Sequence, residues 1–207
     1  MNLSRRQEPL PDQLNFNGTI LKPSEQHKHL GITFQSDCKW NSHINFLIAK
    51  CRPLVACLKS YKYRLSRQSL EIMYKSFILP ILDYADVVWD NCTQYQSDAL
   101  EEIQLDALRT IIGAVRGTSH LSIYRESGFV TLSERRKRHK LILYFKFVNN
   151  MLPDHISSKF PKLISETNPY PRRLPLERKT FFCRTELYKS SYFPNTTTLW
   201  NNLPDDV

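Results

Sequence analysis

Glycine is scarce in this chain, with 5 residues among 207, against 12 prolines. So few glycines provide for few tight reversals, which suits helices better than an all-β fold with its many turns. The five cysteines (Cys38, Cys51, Cys57, Cys92 and Cys183) form an odd set with no CxxC pair and no regular spacing. That pattern argues against a disulfide framework and against a cysteine zinc site, and it predicts reduced, mostly buried thiols. No run approaches the roughly 20 apolar residues of a membrane span, and the opening MNLSRRQEPLPDQ lacks the apolar core of a signal peptide. The expected setting is intracellular, nucleus or cytoplasm, with no membrane partner. A P-loop, GxSxG, HExxH or paired acid–base arrangement is also missing. The acidic set Asp83, Asp86 and Asp90 is the nearest approach to the paired carboxylates that hold polymerase magnesium. Its DYADVVWD string lacks the strand–turn–strand setting of such a site. His27 and His29 have no third ligand close in sequence. No catalytic residue and no metal-ligand set is expected.

What is present is a foldable, basic chain. Two fifths of it is hydrophobic, with 11 Phe, 10 Tyr and 3 Trp, enough for a buried core. Lys and Arg exceed Asp and Glu by 29 to 20, a formal charge of +9. Such an excess draws polyanions to the surface, nucleic acid first among them.

Residues 1–13 read as a flexible N-terminus. Leu14–Leu21 and His29–Phe34 have strand character, and the polar KPSEQHK between them could be a hairpin loop. Helical signals follow. Ile44, Leu47, Ile48, Cys51, Leu54, Val55 and Leu58 make one stripe at helical period, with Pro53 inside it as a kink or a break. Ser66 is an expected N-cap for a second helix burying Leu70, Met73, Tyr74, Phe77, Ile78 and Ile81, bent near its end by Pro80. Ser97 is an expected cap for a third, carrying Leu100, Ile103, Ala107, Leu108 and Ile111 up to Gly113. A short helix around Ser122–Glu126 should stop at Gly128. A fourth long helix should begin near Thr131, with Glu134 completing the cap, carry Leu132, Leu141, Tyr144, Phe145, Val148 and Leu152, and fade at Asn149–Asn150 before Pro153. From Leu152 onward proline, arginine, lysine, asparagine and threonine dominate. That segment reads as an extended arm with at most a short helix near Leu199–Leu203.

Two basic clusters are the candidate binding residues. The first is Arg135, Arg136, Lys137, Arg138 and Lys140 on the fourth helix. Positive charge in a first helical turn opposes the helix macrodipole, which points to a purpose other than stability; phosphate contact and an ordinary solvated helix face both stay open. The second is Arg172, Arg173, Arg178, Lys179 and Arg184, interleaved with Tyr170, Phe181 and Phe182. Arginine beside exposed aromatics can grip single strands by charge and stacking, but the favoured reading has the aromatics docked on the helical core, with phosphate contact by the arginines compatible with either.

Several short patterns occur in a fixed order. They are His27-Lys28-His29-Leu30-Gly31-Ile32, then Trp40-x-x-His43-Ile44, then Tyr74, Ile78, Pro80, Leu82, Asp83, Tyr84 and Trp89. Next come Leu100, Glu101, Ile103, Gln104, Leu108, Arg109, Ile112 and Gly113, followed by Thr131-Leu132-Ser133-Glu134-Arg135-Arg136. The series closes on Arg184, Tyr188, Ser191, Tyr192, Phe193, Pro194, Leu199, Trp200, Asn201, Leu203 and Pro204. Together they resemble the region downstream of the catalytic palm in LINE-type, jockey-like non-LTR retrotransposon reverse transcriptases. Tyr192 and His29 depart from the family's usual Phe and aromatic.

The resemblance implies a mainly α fold: a palm-edge β-hairpin over 14–36, a helical, thumb-like bundle over 37–151 and a Pro-rich basic arm over 152–207. It implies RNA and DNA, as a template–primer duplex, for partners. The family's catalytic aspartates would lie ahead of Met1, so palm and fingers become further expected partners. No cofactor is expected in this chain, with magnesium needed only by the full-length polymerase. The alternative is a decayed or domesticated fragment acting as a non-catalytic helical interaction module.

Overall fold

A two-residue hairpin loop of type I′ needs two consecutive residues at positive φ, and the N-terminal segment supplies this twice. In the computed structural model, which describes residues 14–21, 24–153, 156, 161 and 178–204, β1 (Leu14–Phe16) pairs antiparallel with β2 (Thr19–Leu21). Their loop is Asn17 at φ 51° and Gly18 at φ 85°. A second hairpin joins β3 (Gln26–His29) to β4 (Ile32–Gln35) through Leu30 at φ 46° and Gly31 at φ 83°. The expected pairing of Leu14–Leu21 with His29–Phe34 is therefore corrected: each segment folds on itself or on its immediate neighbour.

The described residues divide into two compact units. The first draws on Met1–Ala85 and Cys92–Leu132, the second on Asp86–Asn91 and Ser133–Val207. In the first unit β4 leads into α1 (Asn41–Tyr61). The N–H of Ser42 donates to Gln35 Oε1 at 2.8 Å, and the Phe34 and Trp40 rings meet at 5.7 Å. α1 is continuous, with Pro53 on its solvent side. It buries Ile44, Leu47, Cys51, Val55 and Leu58 against α5 (Gln94–Ile112).

The second helical stretch departs from its expected phase. Ser66 caps α2 (Arg67–Met73) as anticipated, its hydroxyl accepting from the Ser69 N–H. A π-helical turn then spans Tyr74–Ile78 before α3 (Leu79–Asp83). Pro80 has no N–H to give back to the preceding turn and its ring crowds the carbonyl there. The wider turn upstream absorbs that conflict and takes up one extra residue. The buried series becomes Leu70, Tyr74, Ile78, Leu79 and Leu82, while Phe77, expected inside, stands in solvent.

The cap of α5 is Thr93 rather than Ser97: its hydroxyl accepts from the Gln96 N–H, and the Gln96 side chain accepts from the Thr93 N–H in return. Gly113 ends the helix at φ 71°, as its position predicts. α6 (His120–Ser127) runs between Ser119 and Gly128. A fully buried amide locks this unit. Gln104 accepts from Tyr74 Oη at 2.6 Å and donates to Tyr124 Oη at 3.1 Å and the Val130 carbonyl at 2.9 Å.

In the second unit α4 (Asp86–Trp89) is a single turn and α7 (Leu132–Val148) the long element, ending as expected ahead of Asn149 and Asn150. Nearer the C-terminus, the described residues include α8 (Glu186–Lys189) and α9 (Tyr192–Asn201). The helix expected near Leu199–Leu203 thus starts earlier, at Tyr192. Pro194 falls in its first turn, where no backbone N–H is needed, so this proline does not make an extended arm. Tyr144 and Phe147 of α7 meet Trp200 at 5.1 Å and Phe193 at 5.4 Å. Phe145, expected in that core, is exposed. No described helix is long and apolar enough to cross a membrane.

Candidate nucleic-acid interface

On α7 the residues Leu132, Arg136, Lys140, Tyr144 and Phe147 are all buried. Their spacing of four, four, four and three places them on one helix face. Two members of the basic run therefore lie on the inward, otherwise apolar side. Arg136 Nε donates to Asp90 Oδ1 at 2.9 Å, and its guanidinium sits over the buried Trp89 ring at 5.6 Å. Lys140 Nζ donates to Asp90 Oδ2 at 2.5 Å and to Asn195 Oδ1 at 2.8 Å. The two side chains are 4% and 7% exposed. Between them, His139 Nδ1 contacts Asp86 Oδ2 at 2.5 Å, and Asp86 is itself buried.

One carboxylate thus serves two buried cations. Charges of this kind are retained in an interior only when paired and hydrogen-bonded. The acids of DYADVVWD and the bases of ERRKRHK are halves of one network, which their separate reading in the sequence misses. The available signal was the continuation of the Arg136–Lys140 spacing into Tyr144. Asp90 already pairs with Arg136 and Lys140, and Asp86 is engaged by the His139 ring. A magnesium pair needs carboxylates open to the ion, so these two do not fit one.

The rest of the run faces differently. Lys137 and Arg138 are exposed, Arg138 Nε lying 3.7 Å from Glu134 on the same helix, and Arg135 is half-buried. Of the second cluster, Arg172 and Arg173 lie outside the described residues, as does Tyr170. Arg178 is half-buried. Its N–H donates to Asn201 Oδ1 at 3.1 Å, its carbonyl accepts from Asn201 Nδ2 at 2.8 Å, and its guanidinium donates to the Pro161 carbonyl at 3.3 Å. Lys179 and Arg184 are exposed. The aromatics between them divide: Phe181 packs edge-on to Tyr188 at 6.3 Å, while Phe182 is exposed. Burial raises the pKa of both Tyr144 and Tyr192, so neither phenol is a proton source near neutrality.

Comparison with known proteins adds what the geometry alone does not. Over 137 residues the chain is 25% identical to a probable RNA-directed DNA polymerase from transposon BS of Drosophila melanogaster. That match covers 63% of this chain and 15% of the fly protein. Over 111 residues it is 23% identical to a Pol polyprotein from a type-1 retrotransposable element R1 of Nasonia vitripennis, covering 52% of this chain and 28% of that protein. The chain is related to retrotransposon reverse transcriptases. Its matches span less than a third of the length of these curated relatives. No family model and no solved structure matches it.

The residues that carry the reverse-transcriptase resemblance are in large part structural fasteners. Tyr84 Oη donates to the Leu30 carbonyl at 2.8 Å, and a Cβ on Gly31 would lie 3.2 Å from the same ring. Tyr74 and Gln104 bond inside the first unit. Glu101 accepts from the Tyr124 hydroxyl and, at 3.0 Å, from the N–H of Leu132. Trp200 and Asn201 hold Tyr144 and the Arg178 backbone.

Proposed function

We propose that this chain is the thumb-like, nucleic-acid-holding segment of a LINE-type retrotransposon polymerase. It grips a template–primer duplex through phosphate contacts and serves RNA-directed DNA synthesis when joined to a palm that carries the catalytic magnesium. The observation that supports this most is the coincidence of polymerase relatives with a formal charge of +9. Phosphate contacts position a duplex without reading its sequence, which suits a surface with cations and no base-reading motif. Lys137, Arg138, Lys179 and Arg184 make the contacts, with Arg135, Arg172 and Arg173 as further candidates. Arg136 and Lys140 act through α7, by holding it in place, and Arg178 through the Asn201 clasp.

The test is binding of the 207-residue chain to RNA–DNA hybrids of unrelated sequence, followed by fluorescence anisotropy across a salt series. Binding should be sequence-tolerant and steeply salt-dependent. In K137Q/R138Q/K179Q the slope of log affinity on log salt should fall, by roughly 0.9 per lost contact on B-form duplex. A wild-type chain that leaves every hybrid unbound at low salt overturns the reading. Unchanged affinity and slope in the folded variant remove these residues from the interface.

A further inference from the structure

No Asp or Glu occurs between Asp37 and Glu71, a stretch that contains Lys39, Lys50, Arg52, Lys59, Lys62, Arg64 and Arg67. Three of these cations find acids elsewhere. Lys39 lies 3.9 Å from Asp37, Lys59 lies 3.0 Å from Asp106, and Arg67 lies 2.8 Å from Glu126. Lys50, Arg52, Lys62 and Arg64 have no acidic partner among the described residues. The last two flank the most solvent-exposed aromatic ring described, Tyr63, 91% exposed.

The backbone around Tyr63 is a tight turn between two helices. The N–H groups of Arg64 and Leu65 both donate to the Tyr61 carbonyl, at 2.9 and 3.1 Å, and Ser66 then caps α2. Tyr61 is exposed as well. Lys62 Nζ stands 5.4 Å from the Tyr63 ring centroid, so at this turn an ammonium and an aromatic face are presented together. The turn holds the backbone that carries this ring, and the ring itself is open to solvent on a side that a nucleobase's flat face can cover.

We infer that the Tyr61–Arg64 turn is a single-strand contact: Tyr63 stacks on an unpaired base while Lys62 and Arg64 take the flanking phosphates. The ligand class is an unpaired nucleotide in a phosphodiester strand, RNA or DNA. This rests on the proposed nucleic-acid function and extends it to a second set of residues, on the first unit. Charge complementarity decides for a polyanion, and the polymerase relatives decide for nucleic acid over an anionic membrane.

The experiment compares the full chain on an RNA–DNA hybrid with a single-stranded overhang, in RNA-overhang and DNA-overhang arms, against the same hybrid with blunt ends. Y63A should weaken overhang binding about tenfold, the usual worth of one stacked base, and leave blunt binding unchanged, while Y63F stays near wild type. K62Q/R64Q should lower the single-strand salt slope by about 0.7 per lost contact. Circular dichroism should show no loss of helix, since the ring supports no core. A Y63A chain that binds the overhang as wild type does overturns this inference alone. A wild-type chain that binds neither hybrid overturns it together with the proposed function. Preferential, Tyr63-dependent binding to phosphatidylserine vesicles overturns it in favour of a membrane surface.

Discussion

The Asp90 carboxylate receives the Lys140 ammonium at 2.5 Å, on the inward face of the helix that carries the chain's densest positive run. Its other oxygen holds Arg136. Density of charge along a sequence and density of charge on a surface are therefore different quantities here. Positions 136 and 140 share a phase with Tyr144 and Phe147, whereas 137 and 138 fall on the other side of the axis.

Removing Asp90 should be costly. D90A leaves two cations in the interior without their counter-charge, and breaking a buried pair from one side costs about 3–5 kcal/mol. D90A should melt early in a thermal scan. Combining it with R136M and K140M, which removes the stranded charges, should recover most of the loss. A D90A melt equal to wild type would show that the network carries no stability.

Gln104 makes a second test of a buried polar group. Q104L deprives Tyr74 of its acceptor and the Val130 carbonyl of a donor. Each unsatisfied buried group costs about 1–3 kcal/mol, so urea unfolding should shift to lower concentration with little change in m. Q104E keeps the acceptor for Tyr74 but loses the donor and buries a charge, so it should be at least as unstable.

His43 gives the first unit an acid sensitivity. Burial, and then the charge of Lys28, holds its pKa below the ordinary value of 6.5. The unfolded chain therefore takes up this proton more readily than the folded one. The stabilising contribution is complete above about pH 6.5 and is lost as the pH falls through the depressed value. Melting temperature should drop between pH 8 and pH 5, and H43Q should flatten the fall. An unchanged profile in H43Q would assign the acid loss to other groups.

Thiol chemistry separates two cysteines on one helix. Burial pushes the Cys51 thiol up to about 11, the Lys50 charge offsetting only part of this, whereas Cys57 is exposed. Alkylation at pH 8, mapped by mass spectrometry, should modify Cys57 first and Cys51 only under denaturant. The expectation of mostly buried thiols holds for Cys51 among the five.

Much of the helical fold is legible because each apolar stripe keeps one period over several turns. Ile44, Leu47, Val55 and Leu58, and likewise Leu100, Ile103 and Leu108, are buried where spacing puts them. The failures share a cause, a local change of phase or pairing that a regular template averages away. A π-helical turn ahead of Pro80 rotates Phe77 outward, and Asn17-Gly18 closes a hairpin inside what reads as one strand. Thr93 takes the cap from Ser97 because Gln96 completes the reciprocal bond. At the candidate site the acids and the bases are each visible, but their partnership is long-range in the chain and carries no periodic signature.

The excursion of Asp86–Asn91 out of the first unit sets how the polypeptide can be divided. A fragment cut at Ser133 would keep Arg136 and Lys140 yet leave Asp86, Trp89 and Asp90 behind. An amino-terminal fragment ending at Leu132 would retain those acids with none of the bases they hold. Neither piece inherits a complete set of side chains, so severing the chain at this sequence boundary disarms both products. Complementation by mixing the two halves, rather than folding of either alone, is the form in which the second unit could be recovered.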